Sequence, residues 1–569
     1  METTNEKKTD AAEAAAVQNS ENGEKSENAG GGKRRTSKRR AFLAAGVGAV
    51  GLLLGAAFFV GGAAPEPPTE FAVVDRAPTI YPDYRDVTIP PNIAPLNFDV
   101  QENAARFVTC VFEEGAERPT ATFSGKEIRF SQRKWRRLLE RNVGKALRFE
   151  LFALNVVDGE NGAKEGDKAN RKNGAGGGWA KFAEWTVRVS SDSIDPWVSY
   201  RLVFPGYEYY SDLALWTRSL ETFEERPIIR ARLVAERTCV NCHTFQAGQT
   251  DSFLFHLRFK KPGTVVVDGD DVKKVDLNAE GLDAGCAYAA WRPNSSHVAF
   301  SSNQTAQIFH TRDKNRINVL DSFSDLLLYD VKKNELTPIL PSDDKFLPTY
   351  PTWSPDGKTL YYCCAKAPDF KTARQPVAAR KDEVPHLQDE FRYDVMKVDF
   401  DEKTGTFGAP ERVFDAVALD KSAAFPRVSP DGKTLMFTLA RRGCFPIWFR
   451  DADLWTLDLT TGQARALDEV NSPTEPDSWH SWSSNGRWFV FSSRRDDGSH
   501  TRLYFAHIGE NGEVSKPFML PQRDPAETLN ATKSFNVPEL TVEPVEISER
   551  ELLRDAQKET PEKATLRLR

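Results

Sequence analysis

The sequence predicts a mainly β chain: an N-terminal transmembrane helix, a β-sandwich domain, then a six-bladed β-propeller. Three observations carry this expectation. The uncharged run at residues 41–64 follows a basic cluster, short alternating stretches fill residues 95–192, and a turn-plus-strand unit recurs four times between residues 291 and 491.

At 569 residues, 40% of them hydrophobic, the chain is long enough for more than one core. A net charge of −6 gives no overall basic field, which excludes nucleic acid as an expected partner. Residues 1–40 read as a disordered cytoplasmic tail, rich in Glu, Lys, Ala and Gly and ending in the basic cluster Lys33 to Arg40. Residues 41–64, as a helix, are long enough to cross a bilayer. The basic flank holds the tail inside and sends the rest across, so the expected place is a bacterial inner membrane, single-pass, with periplasmic C-terminal domains. Arg39-Arg40-Ala41-Phe42-Leu43 also resembles a twin-arginine export signal, so an uncleaved anchor and an export signal both stand. Gly46-Val-Gly48-Ala-Val-Gly51 fits a dinucleotide fingerprint but follows no strand and is set aside.

Residues 65–94 carry repeated prolines and read as an extended tether. Residues 95–192 are assigned to the β-sandwich, because residues 107–112, 147–152 and 182–189 alternate with period two. Within them, residues 132–142 place Trp135, Leu138 and Leu139 at helical spacing, and residues 158–178 read as a solvated loop. The Trp- and Tyr-rich run at residues 193–229 reads as packing between domains, with a carbohydrate platform as the rival.

Residues 193–545 are assigned to the propeller. The segments starting at Trp291, Trp353, Val428 and Trp482 align, and two of them read Ser-Pro-Asp-Gly at the turn. Serine anchors such a turn, proline pre-sets its second φ and glycine closes it before an alternating strand. Residues 325–330, 393–398, 453–458 and 501–505 supply a further strand for each unit. Residues 246–257, with 263–267 as the next strand, read as a degenerate fifth copy preceded by the cysteine motif at 239–243, and residues 194–232 with 534–540 are the material for a sixth. Trp291, Trp353 and Trp482 are expected to be buried packing residues. Residues 546–569 read as a frayed, charged tail.

The one chemically loaded spacing is Cys239-Val-Asn-Cys242-His243, expected by chance about 0.001 times at this composition. In a Cys-x-x-Cys-His motif two thiols can bind the vinyl groups of a haem while the imidazole ligates its iron. A redox dithiol, a structural disulfide and half of a zinc site use the same residues. No second Cys/His pair of similar spacing completes a zinc site. For the opposite axial position of a haem, His256 and His480 are the candidates, alongside an open iron; Met396, Met436 and Met519 look like core.

The four turn-strand units resemble the TolB-type propeller repeat. Residues 421–432, 482–498 and 516–522 look more specifically like a family of bacterial envelope proteins that are TolB-like or cytochrome-c-associated, and the resemblance runs from about Tyr81 to Leu540. In that family a Cys-x-x-Cys-His motif falls where Cys239 to His243 fall here, which implies a covalent haem c. Two functions follow as expectations. One is an electron carrier working with an envelope or redox partner and anchored through residues 41–64. The other is a non-enzymatic scaffold that docks a protein, polysaccharide or peptidoglycan-associated partner, with a structural Cys pair. No hydrolase motif such as Gly-x-Ser-x-Gly occurs, so enzyme activity is not expected.

Overall fold

The computed structural model describes residues 65–156, 178–204, 210–310, 317–371, 380 and 382–567. The chain divides into residues 1–63 and 64–569, and the first unit, with the span expected at 41–64, lies outside the described residues. So does most of the loop expected at 158–178. Among the described residues no helix is long and apolar enough to cross a membrane.

The N-terminal part of the second unit is a seven-stranded sheet and a three-stranded sheet. Helix Gln132–Arg141 turns Trp135, Leu138 and Leu139 inward, as its spacing predicts, and Trp135 Nε1 donates to Ile93 O at 3.0 Å. The expected tether needs correction. Phe71–Val74 and Val87–Ile89 lie within residues 65–94 and pair in parallel with Trp179–Phe182 and Trp185–Val189. The prolines fall between these short strands rather than inside them, so no ladder hydrogen bond is lost.

Six further sheets follow, with first strands at Thr238–Gln246, Cys286–Trp291, Phe346–Trp353, Ser422–Val428, Asp477–Trp482 and Ser534–Thr541. The last is supplied from the far end of the chain: Ser534–Thr541 pairs with Trp197–Val203, which continues to Ala214–Ser219 and Glu225–Arg230. A sheet built from both ends of a repeat array joins its termini, and the arrangement is consistent with a β-propeller.

The repeated turns form as their chemistry dictates. Ser354 Oγ donates to Asp356 Oδ1 at 2.6 Å, accepts from Thr359 N at 3.0 Å, and Gly357 takes φ 66°. Ser429, Asp431 and Gly432 repeat this, and Ser483, Asn485 and Gly486 vary it with an amide. Trp291 and Trp353 are buried, while Trp482 is half-buried with Nε1 donating to Arg427 O at 3.1 Å.

Two expectations need correction here. The cysteine motif precedes the strand Gln249–Phe259 as expected, but it is not a lead-in segment: it lies inside a strand of its own, Thr238–Gln246. The described part of the expected tail, residues 546–567, is not frayed either. Ser548 and Glu551 form a capping box for helix Glu549–Ala556, which buries Leu552 and Ala556 among Ile229, Val240 and Val265. Beyond it, Glu562–Lys563 and Thr565–Leu566 add parallel edge strands to Asp271–Asp276 and Glu335–Pro338.

Candidate functional site

The six first strands share one departure from regular β structure. Each shifts register by one residue and holds a non-glycine residue at positive φ: Cys242 (42°), Tyr288 (43°), Tyr350 (53°), Phe425 (54°), Trp479 (46°) and Val537 (52°). Such a bulge re-aims a side chain, at a backbone cost of order 1–3 kcal/mol that the flanking ladder must hold in place. All six side chains line a single cavity of about 750 Å³. Tyr288, Tyr350 and Phe425 follow one another with ring centroids 4.3 Å apart at each step, and Trp479 stands 6.0 Å further on.

The residue after each bulge is His243, Ala289, Pro351, Pro426, His480 or Pro538. Proline suits that position because a bulge leaves an N–H unpaired and proline has none. Cys242-His243-Thr244-Phe245 therefore occupies the same place as Tyr350-Pro351-Thr352-Trp353. The cysteine motif is a propeller strand in which the bulge residue is a thiol and its neighbour an imidazole.

Cys239, Asn241, Cys242, His243, His256, His480 and Glu539 share the cavity wall. The structure thus brings together every site residue read from the sequence. His243 is buried, neither ring nitrogen has a hydrogen-bond partner, and Nε2 stands 3.8 Å from Glu539 Oε1. His480 is likewise buried, with backbone groups of Phe425 and Met436 close enough to hold its ring, whereas His256 has Nδ1 2.8 Å from Thr264 Oγ1 and Nε2 unpartnered. Burial, reinforced by nearby arginines, pushes all three imidazoles down to about 3, so they are neutral near pH 7. Burial pushes Glu539 the other way, up to about 7, although its Oε2 accepts from Phe245 N at 3.1 Å. Burial also raises the Cys239 thiol, more than Arg201 and Arg258 lower it.

Cys239 and Cys242 are free thiols. Three residues along an extended strand span about 10 Å, beyond the roughly 4.4–6.8 Å between the Cα atoms of a disulfide. The strand geometry is thus unfavourable to a disulfide within the motif. Among the described residues no group of three or more His, Cys, Asp or Glu is gathered to hold a metal ion by protein ligands alone. Haem differs in bringing its own four nitrogens, so it asks of the chain only thiols and an axial imidazole. The donors present fit it: two thiols and imidazoles with unspent nitrogens on one wall, around a volume within the usual range of ligand pockets. Met396, Met436 and Met519 do not line the cavity.

Sequence reasoning missed Glu539, Arg427 and the four aromatic bulge residues. Glu539 lies 294 residues from its partner Phe245, so only closure of the ring brings it to the site. The bulges carried a signal: the residue three places before each Trp or Val that opens an aligned segment.

No protein-family model and no curated protein matches the chain. Among solved structures, TolB from Acinetobacter baumannii is 15% identical over 57% of this chain and 67% of that one, with a TM-score of 0.35. A putative TolB from Agrobacterium tumefaciens is 16% identical over 58% of this chain and 89% of that one, with a TM-score of 0.33. A puromycin hydrolase is 14% identical over 57% of this chain but only 45% of that one, with a TM-score of 0.34. At these values the likenesses carry no weight for the site, and the propeller assignment rests on the sheet pairings.

Proposed function

We propose that the chain is an exported, membrane-anchored, TolB-like six-bladed propeller whose cavity carries one c-type haem and transfers electrons within an envelope complex. The observation that carries this reading is the meeting of Cys239, Cys242 and an unpartnered, buried His243 on one cavity wall. Cys239 and Cys242 would hold the haem through two thioethers, and His243 would ligate its iron. When bound, the haem supplies one-electron chemistry that no side chain here offers. Burial keeps His243 neutral, the form in which an imidazole ligates, and Glu539 lies where it can orient the ring. His480 and His256, whose rings are held by the backbone of Phe425 and Met436 and by Thr264 respectively, would be the further imidazoles available in the cavity.

A second reading, a binding scaffold, is favoured by the aromatic arc from Tyr288 to Trp479, which offers a stacking wall for an apolar ligand. Alkylation separates the two. The full chain from a host with c-type maturation is denatured, treated with iodoacetamide and mapped by peptide mass. The haem reading expects Cys239 and Cys242 to be protected while Cys110, Cys286 and Cys444 are labelled. Labelling of both motif cysteines leaves the scaffold.

A further inference from the structure

Among the described residues, Arg201 is a buried cation without a counter-charge. It lies on Trp197–Val203, is 7% exposed, makes no ion pair or side-chain hydrogen bond among the described residues, and leaves Nε unpartnered. Other deeply buried arginines each have a partner: Arg292 and Arg380 pair with Glu402 and Asp344, and Arg218 and Arg502 donate to backbone carbonyls. Burying an unpaired guanidinium is costly, and nothing in the surrounding wall offsets it.

Arg201 lines the cavity, close enough that its charge acts on both Cys239 and His243. Arg427 lines it too; among the described residues its guanidinium makes one hydrogen bond, from Nη1 to Pro426 O at 2.9 Å, and no acid stands within ion-pair distance. The acids on the wall are Asp276 and Glu539, and neither stands within ion-pair distance of Arg201 or Arg427.

We propose that the cavity binds a carboxylate on Arg201, with Arg427 as the second positive charge. A guanidinium with unspent donors matches the two oxygens of a carboxylate. The inference stands without the haem, because its chemistry has two sources: the propionates of a haem, or the carboxylate of a free small molecule.

The test uses full-length wild type and Arg201→Gln, each prepared from a host with c-type maturation and from one without it. Thermal unfolding is followed against sodium acetate, with ionic strength held constant by sodium chloride. In haem-free protein the Tm of wild type rises with acetate, as for any ligand of the folded state, and that of Arg201→Gln does not. In haem-loaded protein, loss of the response assigns the site to the propionates, and a persisting response assigns it to a free carboxylate. A flat Tm for haem-free wild type, or an equal rise in Arg201→Gln, overturns the proposal. Should Arg201→Gln fail to fold, Arg201→Lys keeps the charge without the fork; it is expected to respond more weakly, and an undiminished response overturns the proposal equally. A chain that takes up no haem defeats the haem reading and leaves this test intact.

Discussion

His243 and His480 stand at the same position in two different sheets, each one residue beyond a bulge, at Cys242 (φ 42°) and Trp479 (φ 46°). Three of the other four sheets place proline there, which fills the space but brings no donor or ligand atom. Two imidazoles are thus presented to one cavity by the repeat itself.

Replacement of these histidines separates their roles. In haem-loaded protein, His243→Ala is expected to alter the absorption spectrum most, by removing the axial ligand. His480→Ala is expected to shift it toward a five-coordinate form, and His256→Ala to leave it close to wild type, since Thr264 already engages that ring. An unchanged spectrum in His243→Ala contradicts the assignment.

The turn glycines differ in what surrounds them. A Cβ at Gly357 (φ 66°) meets Arg292 Nε at 3.0 Å and Cγ at 3.2 Å, and Arg292 Nε also donates to Gly357 O at 2.9 Å. Gly462 (φ 73°) has nothing within 4 Å. Denaturant unfolding should show Gly462→Ala costing about 1 kcal/mol, from the backbone alone, and Gly357→Ala about 1 kcal/mol more.

Asp321 gives stability a pH dependence of known sign. It is fully buried, accepts from Tyr393 OH at 2.9 Å and Asn303 Nδ2 at 3.0 Å, and has no cation partner among the described residues. Burial pushes it up to about 6 from the ordinary aspartate value of 3.8, despite those hydrogen bonds. The folded state therefore holds a proton that the unfolded chain releases between these values, and the stability this contributes is lost as pH rises from about 4 to 6. Asp321→Asn should gain on wild type by about 3 kcal/mol between pH 3.5 and 7, read as a difference in unfolding free energy. A pH-independent difference contradicts this.

The C-terminal helix is part of the fold. Leu552 is fully buried among Ile229, Val240 and Phe255, so Leu552→Ala should cost about 2–4 kcal/mol in denaturant unfolding, where a frayed tail would register nothing.

The propeller was legible in the sequence because its signal is local: Ser354, Asp356 and Gly357 make their turn from side chains at most five residues apart. The chemistry of Cys239, Cys242 and His243 was legible as a spacing, but their place in a first strand was not. A bulge at Cys242 inserts an extra residue, which breaks the period-two alternation that identifies strands. The C-terminal edge strands, two residues each, are too short to show any period. Arg201, Glu539 and Arg427 meet only when Ser534–Thr541 closes the ring, a contact between distant parts of the chain that no local pattern encodes.

The most direct test is the pyridine haemochrome spectrum and intact mass of the full chain, expressed in a host with c-type maturation, beside Cys242→Ala. One covalently bound haem per wild-type chain, with attachment diminished in Cys242→Ala, is the predicted result. A wild-type chain with no covalent haem, at the mass of the polypeptide alone, would contradict the haem reading.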